Sequence, residues 1–157
     1  MSLKTENLHP KVVHQLCIQV NKLQADQSLD GIKVFASDDD PTDIRAELTG
    51  PDTTAYEGGL FKLKLVISGD FPKLPPKAYF ITKIFHPNVD EKSGEVCVNT
   101  LKSDWQAVNW SIGNILQTIR CLLIVPFPES ALNEDSVSRY VTLKFYSILG
   151  KVVHGGL

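Results

Sequence analysis

Four short extended runs follow one another between residues 31 and 81, and nothing between them is long enough for a crossover helix. They are Ile32-Lys33-Val34-Phe35-Ala36, Ile44-Arg45-Ala46-Glu47-Leu48, residues 60–67 and residues 78–81. Ser37-Asp38-Asp39-Asp40-Pro41-Thr42, a turn at Gly50-Pro51-Asp52, and Phe71-Pro72-Lys73-Leu74-Pro75-Pro76 lie between them. Parallel neighbours need a connection of about a dozen residues, usually helical. These connections are instead polar or proline-rich and have turn chemistry. The order therefore predicts an antiparallel meander and not alternating β-α units. In residues 60–67, Phe61, Leu63, Leu65 and Ile67 alternate with Lys62 and Lys64, the period of a half-buried strand. The proline-rich connection is too rigid for helix and is expected at the surface. The aspartates Asp38 to Asp40 read as a solvated turn, since a metal loop would space its ligands more regularly.

Helical patterns flank this region. Over residues 9–25, Pro10 suits the first helical position, and Val12, Val13, Leu16, Cys17, Val20 and Leu23 recur on one side. Cys17 is assigned to the core by that stripe, and Lys11 and Lys22 to a solvated face. His9 and His14 are five apart and do not share a helical face, which argues against a metal site. Further on, Ser111 or Asn109 is placed to cap a helix whose Ile112, Ile115, Leu116, Ile119, Leu122 and Leu123 form a broad apolar face. This is expected to be the central buried helix, with Cys121 in it and Pro126 and Pro128 stopping it. From Asn133, the positions Val137, Tyr140, Val141, Leu143, Lys144, Phe145, Ile148 and Leu149 predict one or two further helices before Gly155-Gly156. With no internal repeat and no linker, residues 1–157 are expected to form one α+β domain.

Composition narrows the function classes. A chain of 157 residues with 43% hydrophobic content is large enough for one core of its own. A net charge of −2 and an isoelectric point near 6.1 give no global basic field, which argues against nucleic acid as a partner. No apolar run approaches the roughly 18 residues of a membrane span, and the N-terminus lacks a signal-like pattern, so no membrane association is expected. The cysteines Cys17, Cys97 and Cys121 are odd in number and form no C-x-x-C pair. A disulfide framework and a structural zinc are therefore not expected, and the inferred setting is a reducing, intracellular one. Neither a metal nor a cofactor is predicted.

The chemistry is sought in Phe85-His86-Pro87-Asn88-Val89-Asp90-Glu91-Lys92-Ser93-Gly94-Glu95-Val96-Cys97-Val98-Asn99. Its ends read as extended, and the polar run from Asp90 to Gly94 suits a turn. Cys97 follows that turn between two valines, so in extended backbone its thiol lies on the face opposite both. Two readings stay open from spacing alone: a small buried hydrophobe, as most free cysteines are, or a thiol that meets a large partner. Asn88, on the other arm, is placed to face Cys97 across the turn, where a carboxamide can donate to an oxyanion formed at a thioester.

The ordered set Tyr56-x-Gly-Gly-x-Phe61, Phe71-Pro72-x-x-Pro75-Pro76, His86-Pro87-Asn88, Cys97 and Trp105 resembles the ubiquitin-conjugating enzymes, from the first helix to at least Asn133. Within that family it is most similar to the S type, which elongates chains. The segments that carry this are Asp30-Gly31-Ile32-Lys33-Val34-Phe35, Gly58-Gly59-Leu60-Phe61, Thr82-Lys83-Ile84-Phe85-His86-Pro87-Asn88-Val89, Cys97-Val98-Asn99, Pro128-Glu129-Ser130-Ala131-Leu132-Asn133 and a terminal His154-Gly155-Gly156. The resemblance implies an N-terminal helix, a four-stranded antiparallel meander sheet, a central helix and C-terminal helices, in agreement with the order read above. It implies that Cys97 takes the C-terminus of ubiquitin from the activating enzyme, that a lysine of a second ubiquitin or a substrate attacks the thioester, and that sulfur leaves as thiolate. Asn88 then either stabilises the oxyanion or holds the turn. His86 and Pro87 are expected to fix the loop and Trp105 to pack beneath it. The implied partners are ubiquitin, the activating enzyme, which alone uses ATP, and a ubiquitin ligase. A monomer in the cytoplasm or nucleus is expected.

The departures from the family pattern carry expectations too. Eight residues separate Asn88 from Cys97 where the family usually has seven. The gate positions Asn99 and Ser130 are uncharged, although an acid there helps to deprotonate a lysine whose ordinary pKa is about 10.4. The expectation drawn is that the acceptor supplies its own carboxylate, favouring one linkage. Lys73 stands in place of an apolar anchor, Gln106-Ala107 in place of Ser-Pro-Ala, and Phe127 in place of asparagine. These positions face the ligase in the family, so generic RING-ligase docking is in question. Lys4 and Lys11 are assigned to the activating-enzyme face. The S type carries a basic tail that engages a large cell-cycle ligase; with Leu157 last here, either the chain is shortened or that partnership is absent. Alternative readings are an inactive ubiquitin-binding scaffold of the same fold and an enzyme for a ubiquitin-like modifier. A papain-like protease fits poorly, because no histidine is placed against Cys97 as base.

Overall fold

The computed structural model describes residues 8–26, 29–103 and 105–127. Helix α1 (Pro10–Ala25) starts where expected: His9 caps it, its Nδ1 accepting from the Lys11 N–H at 3.2 Å, and Pro10 occupies the first turn, where a missing N–H costs nothing. Leu16 and Val20 are its buried residues, with Val12, Val13 and Leu23 packed at the core margin and Cys17 half-buried.

The four extended runs become β1 (Ile32–Ala36), β2 (Asp43–Thr49), β3 (Leu60–Val66) and β4 (Lys77–Phe80), a sheet in the order β1-β2-β3-β4. Every neighbouring pair is antiparallel. The register aligns Val34, Ala46, Leu63 and Phe80 across the sheet, and all four are buried. The adjacent row, Lys33, Glu47 and Lys62, stands on the other face with alternating charge. A one-residue slip would exchange these two rows, and each buried aliphatic side chain contributes about 1.5–3 kcal/mol, so the register is strongly specified.

A five-residue helix, α2 (Val98–Lys102), follows Cys97, and α3 (Ile112–Ile124) completes the described elements. Ser111 caps α3, its side chain accepting from the Asn114 N–H at 3.2 Å, and the predicted apolar face is buried in full. Gln19 ties α1 to the start of α3: its Oε1 accepts from the Ile112 N–H at 2.9 Å and its Nε2 donates to the Trp110 carbonyl at 3.1 Å.

The structure departs from the sequence reading at α2. Helix α2 was not anticipated, because one turn is too short to display a period. Cys121 lies on α3, as expected, and is exposed there, in the stripe of Asn114 and Gln117 opposite the buried leucines. The helices expected from Asn133 onward lie outside the described residues.

Candidate active site

Residues 86–97 form a tight hairpin. The Cys97 N–H donates to the Asn88 carbonyl at 2.8 Å, Val89 bridges Val96, and the Asp90 N–H donates to the Glu95 carbonyl at 2.9 Å. The tip is closed by Asp90, whose Oδ1 accepts from the Lys92 N–H (3.2 Å), the Ser93 N–H (2.6 Å) and the Ser93 hydroxyl (2.7 Å). The two Ser93 bonds are the main reason its carboxyl titrates below the usual range. Gly94 has φ of 74°, and a Cβ built on it would lie 2.2 Å from the Phe80 carbonyl oxygen. Only glycine combines that backbone with so close an approach. Through it the tip docks on β4: the Phe80 N–H donates to the Gly94 carbonyl at 2.8 Å and the Val96 N–H to the Ala78 carbonyl at 2.9 Å. The extra residue is thus absorbed within residues 91–94, and Asn88 and Cys97 stay directly opposite one another.

Alternation sorts the arms. Val89 and Val96 face the core, 6% and 1% exposed, while Asn88, Asp90, Glu95 and Cys97 share the other face. Asn88 is nonetheless fully buried, because a segment from beyond α3 covers it. Its Nδ2 donates to the Phe127 carbonyl at 2.6 Å, and its Oδ1 accepts from the Phe127 N–H at 2.8 Å. This reciprocal pair uses the carboxamide to tether the Phe127 segment to the hairpin.

His86 is buried, and both its ring nitrogens meet backbone groups. Nδ1 accepts from the Asn88 N–H at 3.0 Å, so Nε2 carries the proton and donates to the Leu122 carbonyl at 2.7 Å. Burial lowers its pKa and favours the neutral ring, against a smaller opposing effect of the Leu122 bond. The Tyr56 ring lies 5.8 Å from it, and the Tyr56 hydroxyl donates to the Phe85 carbonyl at 2.7 Å. Tyr56, part of the sequence motif, therefore braces the segment that leads into the hairpin.

Cys97 is half-buried at the start of α2, beside a cavity of about 380 Å³ whose walls include Asp90, Ser93, Glu95 and Asn99. Among the other sequence candidates, Pro87 is buried, and Asn99, Lys11, Lys73 and Gln106 are exposed. Trp105 makes its contacts with the proline-rich connection: its Nε1 donates to the Pro72 carbonyl at 2.8 Å and its ring lies 5.9 Å from that of Phe71. These two contacts anchor Trp105 to that connection. Lys4 and Ser130 lie outside the described residues. Sequence reasoning missed Phe127 as the partner of Asn88, since backbone groups 39 positions away carry no residue signal. It also missed Asp90 and Glu95, which the parity of a paired turn would have placed beside Cys97.

Comparison with known proteins agrees with this geometry. The sequence profile described as ubiquitin-conjugating enzyme matches residues 15–145. The chain is 53% identical over 135 residues to ubiquitin-conjugating enzyme E2 S of Nematostella vectensis, covering 86% of this chain and 65% of that one. It is 47% identical over 160 residues to ubiquitin-conjugating enzyme E2 S of Homo sapiens, covering 99% of this chain and 71% of that one. It therefore spans slightly under two thirds of the Nematostella relative. The solved structure of human ubiquitin-conjugating enzyme E2 G1 superposes with a TM-score of 0.66 at 33% identity, over 76% of this chain and 99% of that one. By profile, sequence and fold, the chain belongs to the ubiquitin-conjugating enzyme family and is similar to its S-type members.

Proposed function

We propose that this chain accepts the C-terminus of ubiquitin from the activating enzyme as a Cys97 thioester and passes it to a lysine, elongating polyubiquitin. The observation that carries the reading is the placement of Cys97: half-exposed beside an open cavity, on a hairpin clamped to β4 on one side and to Phe127 on the other. A carrier thiol must reach two large partners in turn without moving relative to its fold, and a thiol within a packed helix cannot.

In this reading Cys97 forms the acyl bond and is later expelled as thiolate by the acceptor amine. Asn88 holds the Phe127 segment over the hairpin, since its carboxamide oxygen and one of its N–H groups are committed there. His86, with both nitrogens engaged, is a structural member and supplies no proton. Asn99 and Ser130 are the gate positions, and Lys4, Lys11, Lys73 and Gln106 contact the activating enzyme or a ligase. The chain works as a monomer in the cytoplasm or nucleus and needs no cofactor, ATP being consumed by the activating enzyme.

Thioester charging tests the proposal. With activating enzyme, ATP and ubiquitin, the wild type is expected to form an adduct that thiol reagents cleave. Cys97→Ser is expected to give a thiol-resistant ester or none. No adduct with ubiquitin, in the presence of a working control enzyme, would refute it.

A further inference from the structure

The hairpin brings two carboxylates to the face that carries Cys97. Asp90 and Glu95 form the hydrogen-bonded pair next along the ladder from Asn88 and Cys97. Same-face neighbours along a strand are about 6.5–7 Å apart, and directly opposed residues have Cβ atoms about 4.5–5.5 Å apart. Both acids line the cavity beside the thiol, and Asn99, which also lines it, is uncharged.

Glu95 already pairs with a lysine ammonium. Lys77 Nζ lies 3.7 Å from Glu95 Oε1, with the two side chains 56% and 30% exposed. The pair is open to water and weak, so a second ammonium can displace the first. Asp90 directs all three of its turn bonds to Oδ1, and Oδ2 accepts none among the described residues.

We propose that Glu95 and Asp90 are positioning residues for the acceptor: they hold the ε-ammonium of the incoming lysine beside the Cys97 thioester, in competition with Lys77. This rests on the function proposed above and moves the carboxylate expected from the acceptor onto the enzyme's own hairpin. The bound ammonium releases one proton to solvent. The amine nitrogen then bonds to the thioester carbonyl carbon, and the C–S bond breaks with its electron pair leaving on Sγ. The thiolate takes the second proton from nitrogen, giving isopeptide and free thiol.

The experiment is single-turnover discharge of the preformed thioester to Nα-acetyl-lysine amide, a cationic nucleophile, and to hydroxylamine, a neutral one at pH 7. A unit charge about 6 Å away in water changes ammonium occupancy about threefold. Glu95→Gln and Asp90→Asn are each expected to lower the lysine-to-hydroxylamine ratio about threefold, and together about tenfold. The change should appear in the concentration of lysine needed and not in the limiting rate, and should fade at high salt. Lys77→Met is expected to raise the ratio. Equal losses with both nucleophiles, or an unchanged ratio in all the variants, would overturn the inference. Absence of any thioester would instead overturn the function on which it rests.

Discussion

Replacing Asn88 with alanine removes both bonds that hold Phe127 to the hairpin. The Phe127 N–H and carbonyl, bonded at 2.8 and 2.6 Å, lose their partners in a position that is half-buried. A buried polar group left unpaired costs about 1–3 kcal/mol, toward the lower end where water reaches it. Two such groups give a loss of about 2–4 kcal/mol, a large part of a stability of roughly 5–15 kcal/mol. For a chain of this size each kcal/mol lowers Tm by about 2–4 °C, so thermal melting followed by circular dichroism should show Asn88→Ala roughly 5–15 °C below the wild type. Asn88→Asp separates the two bonds. Its carboxylate still accepts from the Phe127 N–H but faces the Phe127 carbonyl, which raises its pKa in the folded state. Its deficit should therefore exceed that of alanine at pH 7 and shrink in acid, where the protonated carboxyl can donate. If Asn88→Ala melts within about 2 °C of the wild type, these bonds do not hold the segment, and a mainly catalytic role for the carboxamide is the better account.

Three further outcomes follow from the same geometry. His86 has a folded pKa below its ordinary 6.5, so the unfolded chain binds the extra proton more readily; its contribution is complete above about pH 6.5 and is lost as pH falls through the lower folded value. Melting between pH 7 and pH 5 should show a steeper decline in the wild type than in His86→Gln. Gly58 and Gly94 both have positive φ, 79° and 74°, but a Cβ at Gly58 meets nothing within 4 Å while one at Gly94 strikes the Phe80 carbonyl. Gly58→Ala should cost about 1 kcal/mol in chemical denaturation and Gly94→Ala at least twice that, with equal costs refuting the docking of the tip on β4. Trp105→Phe, which keeps a ring against Phe71 but loses the Pro72 bond, should lower stability by about 1 kcal/mol in the same assay.

The candidate site was legible where its signal is local. Cys97, Asn88 and the turn between them are marked by a proline, a glycine and a polar run within a few positions. The commitment of Asn88 was not legible, because its partner is the backbone of Phe127, and a peptide group looks the same at every position. The link from Trp105 to Pro72 was hidden for the same reason. Asp90 and Glu95 are visible as letters, but whether they flank Cys97 depends on the pairing register of the turn. An extra residue shifts that register unless the tip absorbs it, as residues 91–94 do here.

The order of one helix and four strands was settled by the sequence alone. Periodicity and turn chemistry act over a few residues, and the short connections leave antiparallel pairing as the only economical closure. The helix of Ile112, Leu116, Ile119 and Leu123 was settled in the same way, by an apolar stripe that has to be buried. The tertiary structure decided which face of that helix leaves Cys121 in solvent, where the Phe127 segment closes over Asn88, and which carboxylates stand beside the thiol. Those outcomes depend on contacts between residues far apart in the chain, and side-chain pattern encodes the need for burial without naming the partner that provides it.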